Sequence, residues 1–367
     1  MAKRIYIRAD AAHQIGVGHV MRTLTLALEL KRLNCEVTFI CRALPEYLAA
    51  KIERAGCELV RLSNSTDDNN DSDIEALDAA EVLSWLKNDD RSYPDWVIVD
   101  HYDLSEEWEA QFTQRGIRIM VIDDLPSRRH ACEILLDQTL NCTFDDYHDL
   151  VPMTCRLALG PKYALLRPEF RKTRQESIAL REPRGFSKLL ISLGGTDPDN
   201  VTSAVLESLL KLKSGVKFEI DVILGASSAH KHHVGALVDD FAGKAKLYVG
   251  VENMALHMLQ SDVAIGAAGS TSWERCCLGL PSLTLVLADN QLRIDKALQD
   301  WGASISLGDH KAQAFDQTLA NALDVVSCYD IRSVMAAKAS QVTDGLGANR
   351  VASLILGEEI EGTHINQ

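Results

Sequence analysis

The residues best placed to do chemistry lie near the start of the chain. In ADAAHQIGVGHVMRTL, Gly16 and Gly18 let the backbone turn tightly after a short β-branched run. His19 then falls at the start of a helical pattern, with Arg22 three residues on. The free N–H groups of a helix start disfavour an imidazolium, so His19 is expected to stay a neutral acceptor near neutral pH, suited to general-base work. A His that caps or packs in the turn fits the same spacing. VIVDHYDLS sets Asp100, His101 and Tyr102 at the end of a strand facing the same crevice as His19, where with Gly16, Gly18 and Arg22 they are expected to bind substrate, and VIDD at 121–124 does the same; polar strand ends also serve as plain turn residues.

A second group of residues suits an anion. GGTDPDN presents Gly194, Gly195 and Thr196 where a phosphate can approach the backbone. Asp197 is expected as an N-cap and Pro198 as the first helical residue, leaving N–H groups to face the anion, though an ordinary helix start reads the same way. AIGAAGSTSWE repeats the arrangement with Gly266 and Gly269, then Ser270, Thr271 and Ser272 as hydroxyl donors and Glu274 one turn in. Two such turns can hold a diphosphate between them, and a carboxylate beside them can take both hydroxyls of a ribose or simply cap or face solvent. LADNQ brings Asp289, Asn290 and Gln291 to another strand end, able to bond phosphate or sugar or to cap a helix.

Neither loop is a dinucleotide G-x-G-x-x-G or a Walker loop, so NAD and ATP are disfavoured and no cofactor is expected. No metal is expected either. Asp71 and Asp73 lie in an acidic stretch, Asp197 and Asp199 are explained by capping, and HKHH at 230–233 reads as a solvated helix start. No G-x-S-x-G elbow supports a serine hydrolase.

The elements that must position these residues alternate short β-branched runs with longer helical patterns. RIYIRA, EVTFIC, CELVRL, DWVIVD, RIMVIDD and EILLDQ are six expected strands of a first doubly wound domain over 1–160. A connecting segment with a Pro and charge shift covers 161–187, and a second doubly wound domain over 188–367 opens at KLLISL. The expected architecture is two Rossmann-like α/β domains facing a central cleft, with ligand at the carboxyl ends of the strands of both. The acidic, Asn-rich stretch 64–73 is read as a solvated loop without function.

Composition sets outer limits. The 367 residues are 46% apolar and 25% charged, ordinary for globular domains. The formal charge is −14, from 38 Lys and Arg against 52 Asp and Glu, which disfavours nucleic acid as a partner. Nine Cys without a C-x-x-C pair suggest a reducing compartment, and neither a signal peptide nor an apolar window of spanning length is found, so a cytoplasmic protein without membrane insertion is expected. The oligomeric state is not legible.

Taken in order, D-A-A-H-Q-I-G-V-G-H-V-M-R at 10–22, DHY at 100–102, VIDD at 121–124, GPKYALLRPEF at 160–170, GGTDPDN at 194–200, AAGSTSWE at 267–274 and DNQ at 289–291 resemble one family over nearly the whole chain. It is that of the nucleotide-sugar hydrolases of pseudaminic acid biosynthesis, which release UDP and 2,4-diacetamido-2,4,6-trideoxy-L-altropyranose from the UDP-sugar. The family is similar in fold to the metal-independent GT-B glycosyltransferase that adds N-acetylglucosamine to the peptidoglycan lipid precursor. The resemblance implies a GT-B fold, His19 as catalytic base, Glu274 as ribose ligand and Asn290 in the nucleotide site, with the 64–73 stretch an insertion. A GT-B UDP-sugar glycosyltransferase and a catalytically silent UDP-sugar binding protein are the competing expectations.

Overall fold

The computed structural model describes residues 2–12, 16–63, 71–88, 93–181, 185–212 and 215–358. Met1–Leu165 and Leu346–Gln367 form one unit, and Leu166–Gly345 a second.

The first unit begins with runs of apolar residues, as strands covered on both faces require. Along the chain come β1 (Arg4–Ala9), α1 (Gly18–Arg32), β2 (Glu36–Cys41), α2 (Glu46–Arg54), β3 (Glu58–Arg61), α3 (Asp71–Asn88), β4 (Trp96–Asp100), α4 (Glu106–Thr113), β5 (Arg118–Ile122), β6 (Ile134–Asp137) and β7 (Arg156–Leu159). They form a seven-stranded parallel sheet of order β3-β2-β1-β4-β5-β6-β7. The order reverses between β1 and β4, where Ala9 pairs with Asp100. A crevice beyond the carboxyl ends of strands at such a reversal is where open α/β sheets bind ligands.

In the second unit α5 (Pro168–Arg181) precedes β8 (Lys188–Ser192), α6 (Val201–Leu210), β9 (Glu219–Leu224), α7 (Lys231–Asp239), β10 (Ala245–Val249), α8 (Met254–Gln260) and β11 (Val263–Ala267). The chain continues through α9 (Thr271–Cys277), β12 (Ser282–Leu285), α10 (Leu292–Trp301), β13 (Ser304–Gly308), α11 (Phe315–Ser327) and α12 (Tyr329–Val342). Its six parallel strands run β10-β9-β8-β11-β12-β13, the same order as the first six of the other sheet, with the reversal between β8 and β11.

Four expectations need correction. The first sheet has a seventh strand, β7. Residues Asp71–Asp73, expected in a loop, begin α3, while 64–70 lie outside the described residues. The stretch 161–187, expected as a linker, contains α5: Pro168 is its first residue, where a missing N–H is harmless, and α5 is tied to the second unit by Arg174 to Ser340 O (2.7 Å) and Ser177 to Leu278 O (2.8 Å). The last helix, α13 (Gly347–Leu356), belongs to the first unit rather than the second. It buries Val351, Ala352 and Ile355 in the same core as Val20, Leu24 and Ala27 of α1. A Cβ at Gly347 would stand 2.2 Å from Ala164 O, so only glycine permits that return. Among the described residues no helix is long and apolar enough to cross a membrane.

Candidate functional site

Where β1 ends, Gly16 (φ +80°) closes a small antiparallel bridge to Ala12, and α1 starts two residues later. His19 and Arg22, three apart, share a face of α1 and meet Asp100 at the end of β4. His19 Nδ1 lies 2.5 Å from Asp100 Oδ1. Arg22 grips the same carboxylate bidentately, Nε to Oδ2 and Nη2 to Oδ1, each at 2.6 Å. Asp100 is wholly buried. Burial alone would raise its pKa, but the Arg22 guanidinium and the hydrogen bonds from Arg22 and His19 hold it well below the usual carboxylate range.

That ionisation decides the imidazole tautomer. An ionised carboxylate only accepts, so Nδ1 carries a proton and donates it to Asp100, and in the neutral imidazole the lone pair therefore lies on Nε2. Arg22 Nη2 also approaches Nδ1 at 3.3 Å, but two N–H donors do not bond each other. Among the described residues nothing bonds Nε2. The edge of Tyr102 packs against the His19 ring at 4.8 Å, and its hydroxyl donates to Asp124 (2.7 Å), which also accepts from Arg22 Nη1 (3.3 Å).

Two buried charge networks support this end of the sheet. Arg8, inside β1, pairs with Asp10 (2.8 Å) and with Asp78 of α3 (2.8 Å), and Asp78 also accepts from Arg42 and from Trp108 Nε1. His101 donates from Nε2 to Asp10 (3.2 Å) and accepts at Nδ1 from the Asp103 N–H (3.1 Å). Both of its nitrogens are engaged, so His101 braces the strand end. Nearby, His130 bridges Glu109 (2.7 Å) and Asp123 (2.9 Å) at 1% exposure. Burial works to lower its pKa, but those two carboxylates outweigh it and push it up to about 9.

The second unit presents different chemistry at its reversal. After β8, Gly194 (φ +107°) and Gly195 turn the chain, and Gly195 O comes so near β9 that a Cβ at Gly225 would stand 1.9 Å from it. The expected helix start is corrected here: α6 begins at Val201, not Pro198. Its first N–H groups are not open to an anion, because Asp197 turns back to accept from Val201 N (2.9 Å) and Thr202 N (3.0 Å). Thr196 is half-buried in that turn.

After β11, Gly269, Ser270 and Thr271 lead into α9, and Glu274 stands one turn in, its side chain 15% exposed. Burial raises the Glu274 pKa, with Arg167 opposing from 3.4 Å. Gln291 lies beside Gly269 and accepts from Leu287 N (3.0 Å), while Asn290 is exposed on the same short 3-10 turn. His230 stands at the N-cap of α7. Among the described residues no three His, Cys, Asp or Glu side chains converge as metal ligands.

The sequence reading includes Asp124 in VIDD but misses Arg167 and Asp78 as members of these clusters; of these two only Arg167 sits in a quoted motif, GPKYALLRPEF.

No known family profile matches the chain. An uncharacterized Methanocaldococcus jannaschii protein is 31% identical over 296 residues, 79% of this chain and 56% of that protein, so the chain spans little more than half of that relative. A Campylobacter jejuni UDP-2,4-diacetamido-2,4,6-trideoxy-β-L-altropyranose hydrolase is 28% identical over 292 residues, 78% of this chain and 93% of that protein. Among solved structures, MurG of Acinetobacter baumannii aligns with a TM-score of 0.68 at 15% identity, over 97% of this chain and 99% of that one. With two parallel-sheet α/β domains of matching topology, the chain has the GT-B fold.

Proposed function

We propose that the chain hydrolyses a UDP-sugar, with UDP-2,4-diacetamido-2,4,6-trideoxy-β-L-altropyranose as its substrate. The observation that carries the reading is the Asp100–His19 pair: a buried carboxylate, held ionised by Arg22, fixes the tautomer that leaves Nε2 as a base. The likeness to the Campylobacter hydrolase, over 93% of that protein, supports the substrate class.

In this reading the second unit holds the nucleotide. Gly194, Gly195, Thr196, Gly269, Ser270 and Thr271 offer backbone and hydroxyl donors to the diphosphate, Glu274 takes the ribose hydroxyls, and Asn290 and Gln291 border the nucleotide. The first unit supplies the base. His19 Nε2 removes a proton from water as its oxygen bonds to the anomeric carbon on the face opposite UDP. The anomeric carbon to oxygen bond breaks, and its electron pair leaves with the β-phosphate, where the donors of the turns take up the charge. Asp100 stabilises the imidazolium that forms. A single displacement inverts the anomeric centre and yields UDP and free sugar. Asp100, Arg22 and His101 act behind the base rather than on the ligand, since their polar atoms are already engaged.

The MurG-like fold favours a second reading, in which His19 activates an acceptor hydroxyl in place of water. One experiment separates them. Incubated with the UDP-sugar alone in ¹⁸O water, a hydrolase releases UDP and places the label on the anomeric hydroxyl. No UDP release without an acceptor sinks hydrolysis, and label in the nucleotide product sinks attack at carbon.

A further inference from the structure

Arg275 is a buried cation that none of these roles uses. Its residue is 2% exposed, and its guanidinium donates from Nε to Ser282 Oγ (3.1 Å), from Nη1 to Thr271 Oγ1 (3.2 Å), and from Nη2 to Ala267 O (2.8 Å) and Ser272 Oγ (2.9 Å). All four acceptors are uncharged. Among the described residues Arg275 forms an ion pair with no carboxylate, and the adjacent Glu274 pairs with Arg167 instead. Burial lowers its pKa to about 10, which leaves it cationic at neutral pH.

Burying an unpaired charge is unfavourable, and the surrounding sequence makes room for it. A Cβ at Gly266 would stand 2.4 Å from Nη1 and 2.9 Å from Cζ. The glycine in β11 therefore leaves room for the guanidinium that bonds residues 267, 271 and 272 of the turn. In the first unit, by contrast, the buried Arg8 and Arg22 both face aspartates.

The bond to Thr271 shows where the missing negative charge belongs. A hydroxyl that accepts from a guanidinium must direct its own proton elsewhere, and the partner cation strengthens it as a donor. Thr271 is only half-buried, so that proton can reach an anion lying on the turn. Ser272, which also accepts from Arg275, is enclosed and its hydroxyl turns to Ala267 O.

We propose that Arg275 is the buried counter-charge of a diphosphate subsite on this turn, acting through the Thr271 hydroxyl without touching the ligand. It is a positioning residue, and the inference rests on the UDP reading above. Its signature is selectivity for charge: it strengthens binding of UDP but not of uridine, whereas a structural tie would support both equally.

The test measures UDP by calorimetry and uridine by competition NMR in four variants of the full chain. Arg275→Lys keeps the charge, and the UDP-to-uridine affinity ratio should stay within about threefold of the parent. Arg275→Met and Arg275→Gln remove the charge, and the ratio should fall by about tenfold or more while uridine binding moves less than about twofold. A ratio unchanged in the neutral variants overturns the proposal, as does a parallel loss of UDP and uridine. Thr271→Val gives a reading even where the neutral variants do not fold. It should lower the ratio by about fivefold, and an unchanged ratio overturns the proposal. A parent chain that binds no UDP removes the nucleotide reading itself, and the subsite with it.

Discussion

The same strand order reverses in both units, yet the two reversals carry opposite chemistry. In the first unit the polar side chains at the carboxyl end of the sheet are paired with one another: His19 and Arg22 on Asp100, Arg8 between Asp10 and Asp78 and, beyond β5, His130 between Glu109 and Asp123. Between β8 and β11 the turns are glycine and hydroxyl, with Arg275 beneath them and Glu274 beside them. Paired buried charges hold a proton acceptor in one orientation and one tautomer, at the expense of capacity to bind anything else. Glycine and hydroxyl turns over a cation without a carboxylate partner do the reverse, and in the proposed reading they receive the diphosphate. The topology thus supplies two equivalent reversals of strand order, and in the proposed reading the residues at their strand ends divide base and nucleotide chemistry between them.

The sharpest way to break this division is to remove each function and ask whether the other survives. His19→Ala should lower turnover of the UDP-sugar by at least about 10²-fold and leave UDP affinity nearly unchanged, because the base acts on water. A variant that keeps near-parental turnover, or that loses UDP binding as well, ends the assignment. Glu274→Ala should behave in the opposite sense. Loss of charge-assisted bonds to the ribose should weaken UDP by about 2 kcal/mol, roughly 30-fold, as read by calorimetry. Unchanged affinity would leave Glu274 as the partner of Arg167 and nothing more.

How much of this division could be read from the chain differs between its parts. Strands such as IYI and LLI are legible because a parallel strand covered on both faces is a continuous apolar run. Helix α3 is not, because its buried face carries Asp78, which turns inward to Arg8 and Trp108 and interrupts the apolar period. Strand β7 is four residues long and begins with a charged Arg156, which hides it. The destination of α13 depends on a close approach at Gly347 to a segment far away in sequence. At the site, the spacing of Gly16, Gly18, His19 and Arg22 announces a helix start with polar groups on one face. That Asp100 bonds His19 and Arg22 follows only from which strand lies beside β1. Arg275 follows Glu274 in the stretch WERCCLG, where a base beside an acid gives no sign of what either faces.

The ionised network in the first unit should also appear in the pH dependence of stability. His130 is raised in the folded chain, from 6.5 to about 9. A raised basic group contributes stability that is whole below its unfolded value and is lost as the pH rises through its folded one. The free energy of urea unfolding should therefore fall by roughly 3 kcal/mol between pH 6.5 and pH 9.5 through this group. Direct NMR titration is the decisive reading: a His130 midpoint near 6.5 would mean that the Glu109 and Asp123 carboxylates do not hold an imidazolium, and the charged half of the comparison would fail.

The smallest expected effect tests the open half. Asp197, at φ +43°, satisfies the first N–H groups of α6 from within the GGTDPDN turn. If those groups are spoken for, the turn can serve a phosphate only through Gly194, Gly195 and Thr196, and the helix start itself takes no part. Asp197→Gly removes the cap while keeping a residue that accepts a positive φ, so the change isolates the carboxylate. It should lower stability by only about 0.3 kcal/mol, measured by urea unfolding, with UDP affinity within about twofold of the parent. Tighter UDP binding would mean that the freed N–H groups reach the ligand, and that Asp197 competes with the diphosphate for the helix start rather than merely closing it.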